Sequence, residues 1–152
     1  MTGARLLEEG RFEEALASFA GRDLRSTFGR AVALQLLGRF DAAEEAYESV
    51  LAADPRHQEG LANLIAMHVE RFDLDRVEEY SRRLLAAAPD SQIALRGLIV
   101  VAVERRDFEL AASCFAKLLP ALEPRRDSVE YRLSRRMVDR LQDHNASLAH
   151  SD

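Results

Sequence analysis

The sequence predicts an all-α fold built from stacked helix pairs, and three observations carry that prediction. Leu, Ala, Glu and Arg, all good helix formers, dominate a chain with only seven glycines and four prolines. Val and Ile come in short runs, not in the period-two alternation of half-buried strands. The chain also repeats itself. Asp54-Pro55 follows "YESVLAA", and Pro89-Asp90 follows "YSRRLLAAA" 34 residues further on. A period of that size marks supersecondary units that bury their apolar faces on one another.

The first unit is a short hairpin over about residues 4–21. "GRFEEA" at 10–15 returns as "GRFDAA" at 38–43, 28 residues later and six short of the full period. The opening helix is therefore clipped to little more than residues 4–9, and the second covers about 11–20 and stops at Gly21. The end of a stacked array needs an atypical unit because it has one neighbour. A phosphate-cradling reading of the turn fails: it has one glycine, no following Lys-Ser/Thr and no preceding strand.

Three full units follow, over about 24–57, 58–91 and 92–124. On their first helices the packing stripes read Thr27, Ala31 and Leu34; then Leu61, Leu64, Ile65 and His68; then Leu95, Leu98, Ile99 and Ala102. On their second helices they read Phe40, Ala43, Tyr47 and Val50; Leu74, Val77, Ser81 and Leu84; Phe108, Ala111, Phe115 and Leu118. Steps of three and four draw one apolar face along each helix. Gly38, Phe72 and Arg106 mark the tight turns between the helices of each pair.

The 34-residue period, Ala31, the Gly38-x-Phe40-x-x-Ala43 corner, Tyr47 and Asp54-Pro55 resemble the tetratricopeptide repeat family. The chain departs from the pattern at Phe72, where glycine is usual, at Ser81, where an aromatic is usual but Tyr80 is adjacent, and at Pro124, one place late. The resemblance covers about two thirds of the chain. It implies a right-handed α-α superhelix whose first helices line a concave groove.

Beyond Pro124, Val129, Leu133, Met137, Val138 and Leu141 recur at helical spacing, with Arg132, Arg135, Arg136 and Arg140 on the other face. This predicts a C-terminal capping helix over about 127–142, which completes one domain over 1–142 and leaves a polar tail at 143–152. From 125 to 140 there are six arginines against three acids; a solvated face is the preferred reading, contact with an anionic partner or the acidic body of a second copy the alternative.

Composition narrows the function. A net charge of −5 argues against nucleic acid as partner. The opening MTGARLLEEG matches neither a signal nor a transit peptide, and no apolar run approaches the ~20 residues of a membrane span, so no membrane insertion is expected. One cysteine fits a reducing, cytoplasmic compartment. Its arginine bias, with Lys117 the single lysine, suggests a GC-rich genome.

No catalytic constellation emerges. His57, His68, His144 and His150 lack ligand spacing, so neither metal nor cofactor is expected. His68 reads as a core histidine and Cys114 as a buried inert thiol. Glu44-Glu45 and Glu78-Glu79 are helix neighbours, which point about 100° apart and do not converge. Nucleophile-elbow, zinc-protease and Walker-type motifs are missing, so no enzyme is expected.

The resemblance places the groove on the stripe opposite the packing residues: Arg25, Phe28, Val32 and Gln35; Glu59, Ala62, Ala66 and Val69; Ile93, Arg96, Val100 and Val103. Asn63 borders it where the family often holds a ligand backbone. A carboxylate clamp of the family type is rejected, because Phe28, Val32, Ile93 and Gly97 stand where basic or amide groups are needed. The expected groove is apolar, with Arg96 as an isolated charge. The expected function is a non-enzymatic protein–protein interaction module. It would take an apolar peptide or helix of a partner at Phe28, Val32, Gln35, Ala62, Asn63, Ala66, Val69, Arg96, Val100 and Val103. Small cytoplasmic bacterial repeat proteins of this size act as chaperones or adaptors, one concrete version by analogy. The alternative is a self-associating scaffold or regulatory subunit, with a homodimer or the C-terminal helix covering the groove.

Overall fold

A computed structural model describes residues 1–150. Among them the chain runs through nine α-helices: α1 (Gly3–Glu8), α2 (Phe12–Ser18), α3 (Leu24–Leu36), α4 (Phe40–Ala53), α5 (Gln58–Glu70), α6 (Leu74–Ala87), α7 (Gln92–Glu104), α8 (Phe108–Leu122) and α9 (Val129–Ala149). A 3-10 turn, Glu123–Arg125, joins the last two. Helices pair as α1·α2, α3·α4, α5·α6 and α7·α8, and each pair packs on the next, giving the right-handed all-α solenoid of the tetratricopeptide type. Helix α9 packs on α8.

Side chains capping the N-terminal turns explain where several helices start. Asp23, Asp73 and Asp107 accept from the backbone N–H three residues on, at 3.1, 3.2 and 3.1 Å. His57 does the same through Nδ1 at 3.0 Å. Each such cap satisfies a donor the helix leaves open. The tight turns share one geometry. Gly10, Gly38, Phe72 and Arg106 all have φ between 55° and 75°. The residue after each donates back to the carbonyl five positions earlier, as in Arg39 N to Leu34 O at 2.9 Å and Asp73 N to His68 O at 3.0 Å. The geometry survives the loss of glycine at Phe72 and Arg106, although an L residue is disfavoured there.

A recurring pair welds the units together. At three successive junctions one side chain from a second helix, or from the residue just past its end, meets one position of the next first helix. Phe19 covers Gly29, where an added β-carbon would lie 2.5 Å from the ring. Tyr47 meets Asn63, whose Nδ2 donates to the phenol oxygen at 3.2 Å. Ser81 meets Gly97, where an added β-carbon would lie 2.4 Å from Oγ. The missing aromatic at Ser81 is thus matched by a missing side chain at Gly97, and the helices approach closely. Tyr80, one place earlier and about 100° round α6, is fully buried and stacks on His68 of α5 with centroids 5.7 Å apart.

Two expectations at the C-terminus are corrected. Helix α9 runs on to Ala149, well past the expected end at 142, so the polar segment is largely helical. Its packing face is also only part of the predicted one. Val138 and Leu141 turn inward as expected and Met137 is half-buried, Tyr131 and Ser134 join them, and Val129 and Leu133 stay 62% and 56% exposed. Both sets have helical periodicity, so the pattern alone cannot rank them. Pro120 lies inside α8 near its end, exposed.

Candidate functional site

The first helices α3, α5 and α7 carry the predicted groove residues, and the structure divides them into two kinds. Ala66, Arg96 and Val103 are exposed. Phe28, Val32, Ala62 and Val69 are half-buried and pack against the central core. Val100 is half-buried as well, beside the exposed Ile93 and Val103 on α7. Phe28 is held edge-on against Tyr47, with centroids 6.0 Å apart, and lies 5.0 Å from the His57 ring.

The polar members are committed within the fold. Tyr47 donates its hydroxyl proton to Gln35 Oε1 at 2.6 Å and accepts from Asn63 at 3.2 Å. Gln35, Tyr47 and Asn63 thus form a hydrogen-bonded chain from the first full unit into the second. Burial pushes the Tyr47 phenol up to about 12, with the Asn63 hydrogen bond acting weakly the other way. Arg96 is not an isolated charge. Its Nε and Nη2 reach Glu130 Oε1 on α9 at 3.1 and 2.8 Å, and its Nη1 reaches Gln92 Oε1 at 3.1 Å. The sequence gives no sign of this pairing, because it joins two helices whose separation only the stacking sets. It also places the start of α9 beside α7. Val103 remains 46% exposed, so α9 does not close over the groove at that point.

His68 is the core histidine the sequence leads one to expect, but its ring nitrogens lack the partners of a satisfied one. His68 is 2% exposed, with Nε2 3.4 Å from Glu44 Oε1 and Nδ1 3.9 Å from Asp73 Oδ2, both beyond a well-formed hydrogen bond. Glu44 accepts from the Tyr80 hydroxyl at 2.9 Å and lies 3.4 Å from Arg76. Burial, then the nearby carboxylates of Glu48 and Glu44, push the Tyr80 phenol strongly upward. This cluster ties α4 to α5 and α6. Cys114 is buried in α8, and burial raises its thiol as well, which disfavours the nucleophilic thiolate.

The turn edge of the solenoid carries a ladder of ion pairs between units. Arg39 pairs with Glu13, Arg71 with Asp41, and Arg105 with Asp75 and Glu78. Arg71 also covers the Phe40 ring at 5.1 Å. A cleft of about 580 Å³ opens where the ladder reaches α9, lined by Phe108, Met137 and Leu141 with Arg106, Arg140 and His144 around them. None of the described helices is long and apolar enough to cross a membrane.

Residues 7–116 match the family model described as coatomer epsilon subunit. No curated protein sequence matches the chain. Solved structures similar to it are repeat proteins. A tetratricopeptide repeat protein from Parabacteroides merdae superposes with a TM-score of 0.75 at 18% identity, over 93% of this chain and 58% of its own. The chain therefore spans little more than half of that protein's length. MamA from Desulfovibrio magneticus superposes with a TM-score of 0.71 at 21% identity, over 97% of this chain and 86% of its own. PilF from Pseudomonas aeruginosa gives 0.64 at 17% identity, over 91% of this chain and 72% of its own. At such identities the structures establish the fold, here a tetratricopeptide solenoid. The sequence match reaches across most of the units just described, and by it the chain belongs to the coatomer epsilon subunit family.

Proposed function

We propose that the protein is a non-enzymatic interaction module that holds an apolar peptide or helix of a partner protein along its concave first helices, as an adaptor or chaperone. The observation that carries this reading is the apolar surface of α7 beside the small side chains of α5. Ile93 and Val103 are 48% and 46% exposed, Val100 lies between them, and Ala66 is exposed on the neighbouring helix. Contiguous exposed apolar surface on a folded domain marks an interaction site. Gln35 and Asn63 stiffen the floor through Tyr47 and leave recognition to shape and apolar contact. Burying such side chains contributes up to about 1.5–3 kcal/mol each. Ordering the peptide offsets much of that. Reversible binding in the micromolar range is the expected scale. A single, buried cysteine fits action in the cytoplasm.

The test compares the native chain with Ala66→Glu and Val103→Glu, both at exposed positions. Capture from extracts of the source cell with mass-spectrometric readout is expected to lose the same set of proteins with either variant. Melting temperature and sedimented mass should stay unchanged. An identical captured set would overturn the reading. A dimer that becomes a monomer on substitution would instead make this face a self-association surface.

A further inference from the structure

Helix α9 stands where a fourth unit would place its first helix. Tyr131 lies 34 residues after Gly97, the position that receives Ser81 from the preceding unit, and Glu130 meets Arg96 of α7. In that register Val129 and Leu133 correspond to Leu95 and Ile99, and before them to Leu61 and Ile65. In the complete units these positions are covered. Leu61, Ile65 and Leu95 are at most 2% exposed, and Ile99 packs against the cluster of Cys114 and Leu118 on its own unit's second helix. On α9 the same positions are more than half exposed, at 62% and 56%. The bare face is the seat of a second helix.

The surroundings of that seat select what it takes. Arg132, Arg136 and Arg140 follow steps of four beside Val129 and Leu133, and all three are exposed. Among the described residues none of the three has an ion-pair partner, whereas Arg135 on the same helix is engaged by Asp139 at 3.3 Å. The chain as a whole carries a net charge of −5, so this face is basic against its own body's charge. Two aliphatic side chains bordered by three unpaired arginines complement an apolar stripe bordered by carboxylates. Arginine stems extend the apolar contact while their heads stay in water.

We propose that the outer face of α9 is a docking seat for an acidic amphipathic helix of a partner protein, laid on Val129 and Leu133 with its carboxylates paired to Arg132, Arg136 and Arg140. This seat lies on the outer face of α9, with Arg140 at its edge beside the cleft against Phe108, and it stands independently of any ligand on the concave helices. One acidic second helix already serves this architecture: α4, FDAAEEAYESVLAA, carries four acids and no base beside its apolar stripe.

The probe is a synthetic peptide of the α4 sequence, held helical by a staple through positions 42 and 46. It is titrated into the full chain with backbone amide NMR and fluorescence anisotropy as readouts. Shifts are expected along Val129–Arg140. Affinity should fall at least tenfold for a peptide with its four acids changed to Gln, for Val129→Ser/Leu133→Ser, and for Arg132→Glu/Arg136→Glu. Raising salt from about 0.1 to 1 M, which cuts the Debye length from about 10 to 3 Å, should weaken it similarly. These side chains are exposed, so the variants keep the melting temperature, and Val100→Glu should leave peptide binding intact. The proposal is overturned by equal binding of the neutral peptide, by absence of shifts on α9, or by loss of binding in Val100→Glu alone. Sedimentation showing that Leu133→Ser dissolves a dimer would overturn it too, because a second copy would then fill the seat.

Discussion

The junction between the first and second full units and the junction between the second and third solve one packing problem in opposite ways. At the first, Tyr47 fills the space between α4 and α5, and its hydroxyl is shared by Gln35 and Asn63. At the second, Ser81 faces Gly97 with almost no side-chain volume on either partner, and the aromatic bulk moves one place to Tyr80, about 100° round α6, where it meets His68 of α5. Both junctions leave the second-helix residue fully buried. The difference teaches that the array conserves close packing at the junction, not the residue or the volume at either position: where the pair is small, the helices come closer. Interiors tolerate neither a void nor an overlap of one methylene.

Removing the large partner should have the largest effect. Tyr47→Ala leaves a cavity under Phe28 and strands the amides of Gln35 and Asn63, so a loss of about 4 kcal/mol is expected from urea denaturation. Tyr47→Phe keeps the ring and should lose about 1 kcal/mol. Equal losses for the two would mean that the hydrogen bonds, not the volume, hold this junction. Enlarging the small partner comes next. Ser81→Phe restores the residue the family pattern prefers, yet it should destabilise by about 3 kcal/mol, because the Gly97 backbone occupies the space. A stable Ser81→Phe would show that α6 and α7 slide apart freely and would dissolve the comparison.

The sequence reveals the first of these junctions only in part and hides the second. Spacing locates the helices, the turns and the inward stripes, since 34-residue self-similarity is a property of the letters. It does not say which side chains meet across units. Gln35 falls on the expected groove stripe and Asn63 borders it by the family resemblance, and only the stacking turns them towards Tyr47. The Arg96–Glu130 pair joins residues 34 apart, a separation no single-helix rule covers. On α9 two overlapping apolar patterns compete, and contact with α8 selects Tyr131, Ser134 and Val138 over Val129 and Leu133. Ser134 is fully buried without a hydrogen-bond partner, a polar choice that no apolar-stripe argument finds.

Alkaline pH sharpens the same contrast at smaller scale. The Tyr47 phenol is pushed from the ordinary 10 up to about 12, and the Tyr80 phenol is raised strongly as well, burial being the first cause in both. A group whose folded value is raised gives stability that is whole below the unfolded value and is lost as pH climbs through the folded one. Between pH 10 and 12 each of these tyrosines should therefore remove up to about 1.4 kcal/mol per pH unit. Tyr47→Phe should lower that slope by one tyrosine's share, a difference of about 1 kcal/mol at pH 11. Denaturation midpoints across this range measure it, with the phenolate absorbance as a direct monitor. A slope unchanged in Tyr47→Phe would place the alkaline loss elsewhere than in the first junction.

The smallest expected effect compares the turns of the two units. Gly38 and Phe72 occupy equivalent positions with φ of 74° and 57°. Glycine reaches that region without strain, while an L side chain is disfavoured by about 1–2 kcal/mol. The Phe72 ring is 59% exposed, so removing it forfeits little burial. Glycine also frees the unfolded chain, which offsets part of the gain. Phe72→Gly should therefore stabilise by about 0.5–1 kcal/mol, and Gly38→Ala should destabilise by about 1 kcal/mol. Arg106→Gly, at φ 55°, should behave as Phe72→Gly does, and the two gains should add because the turns belong to separate units. If Phe72→Gly destabilises instead, the exposed ring contributes more to its unit than its burial accounts for. The strain at that turn would then be one the fold retains for a contact that Gly38 does not make.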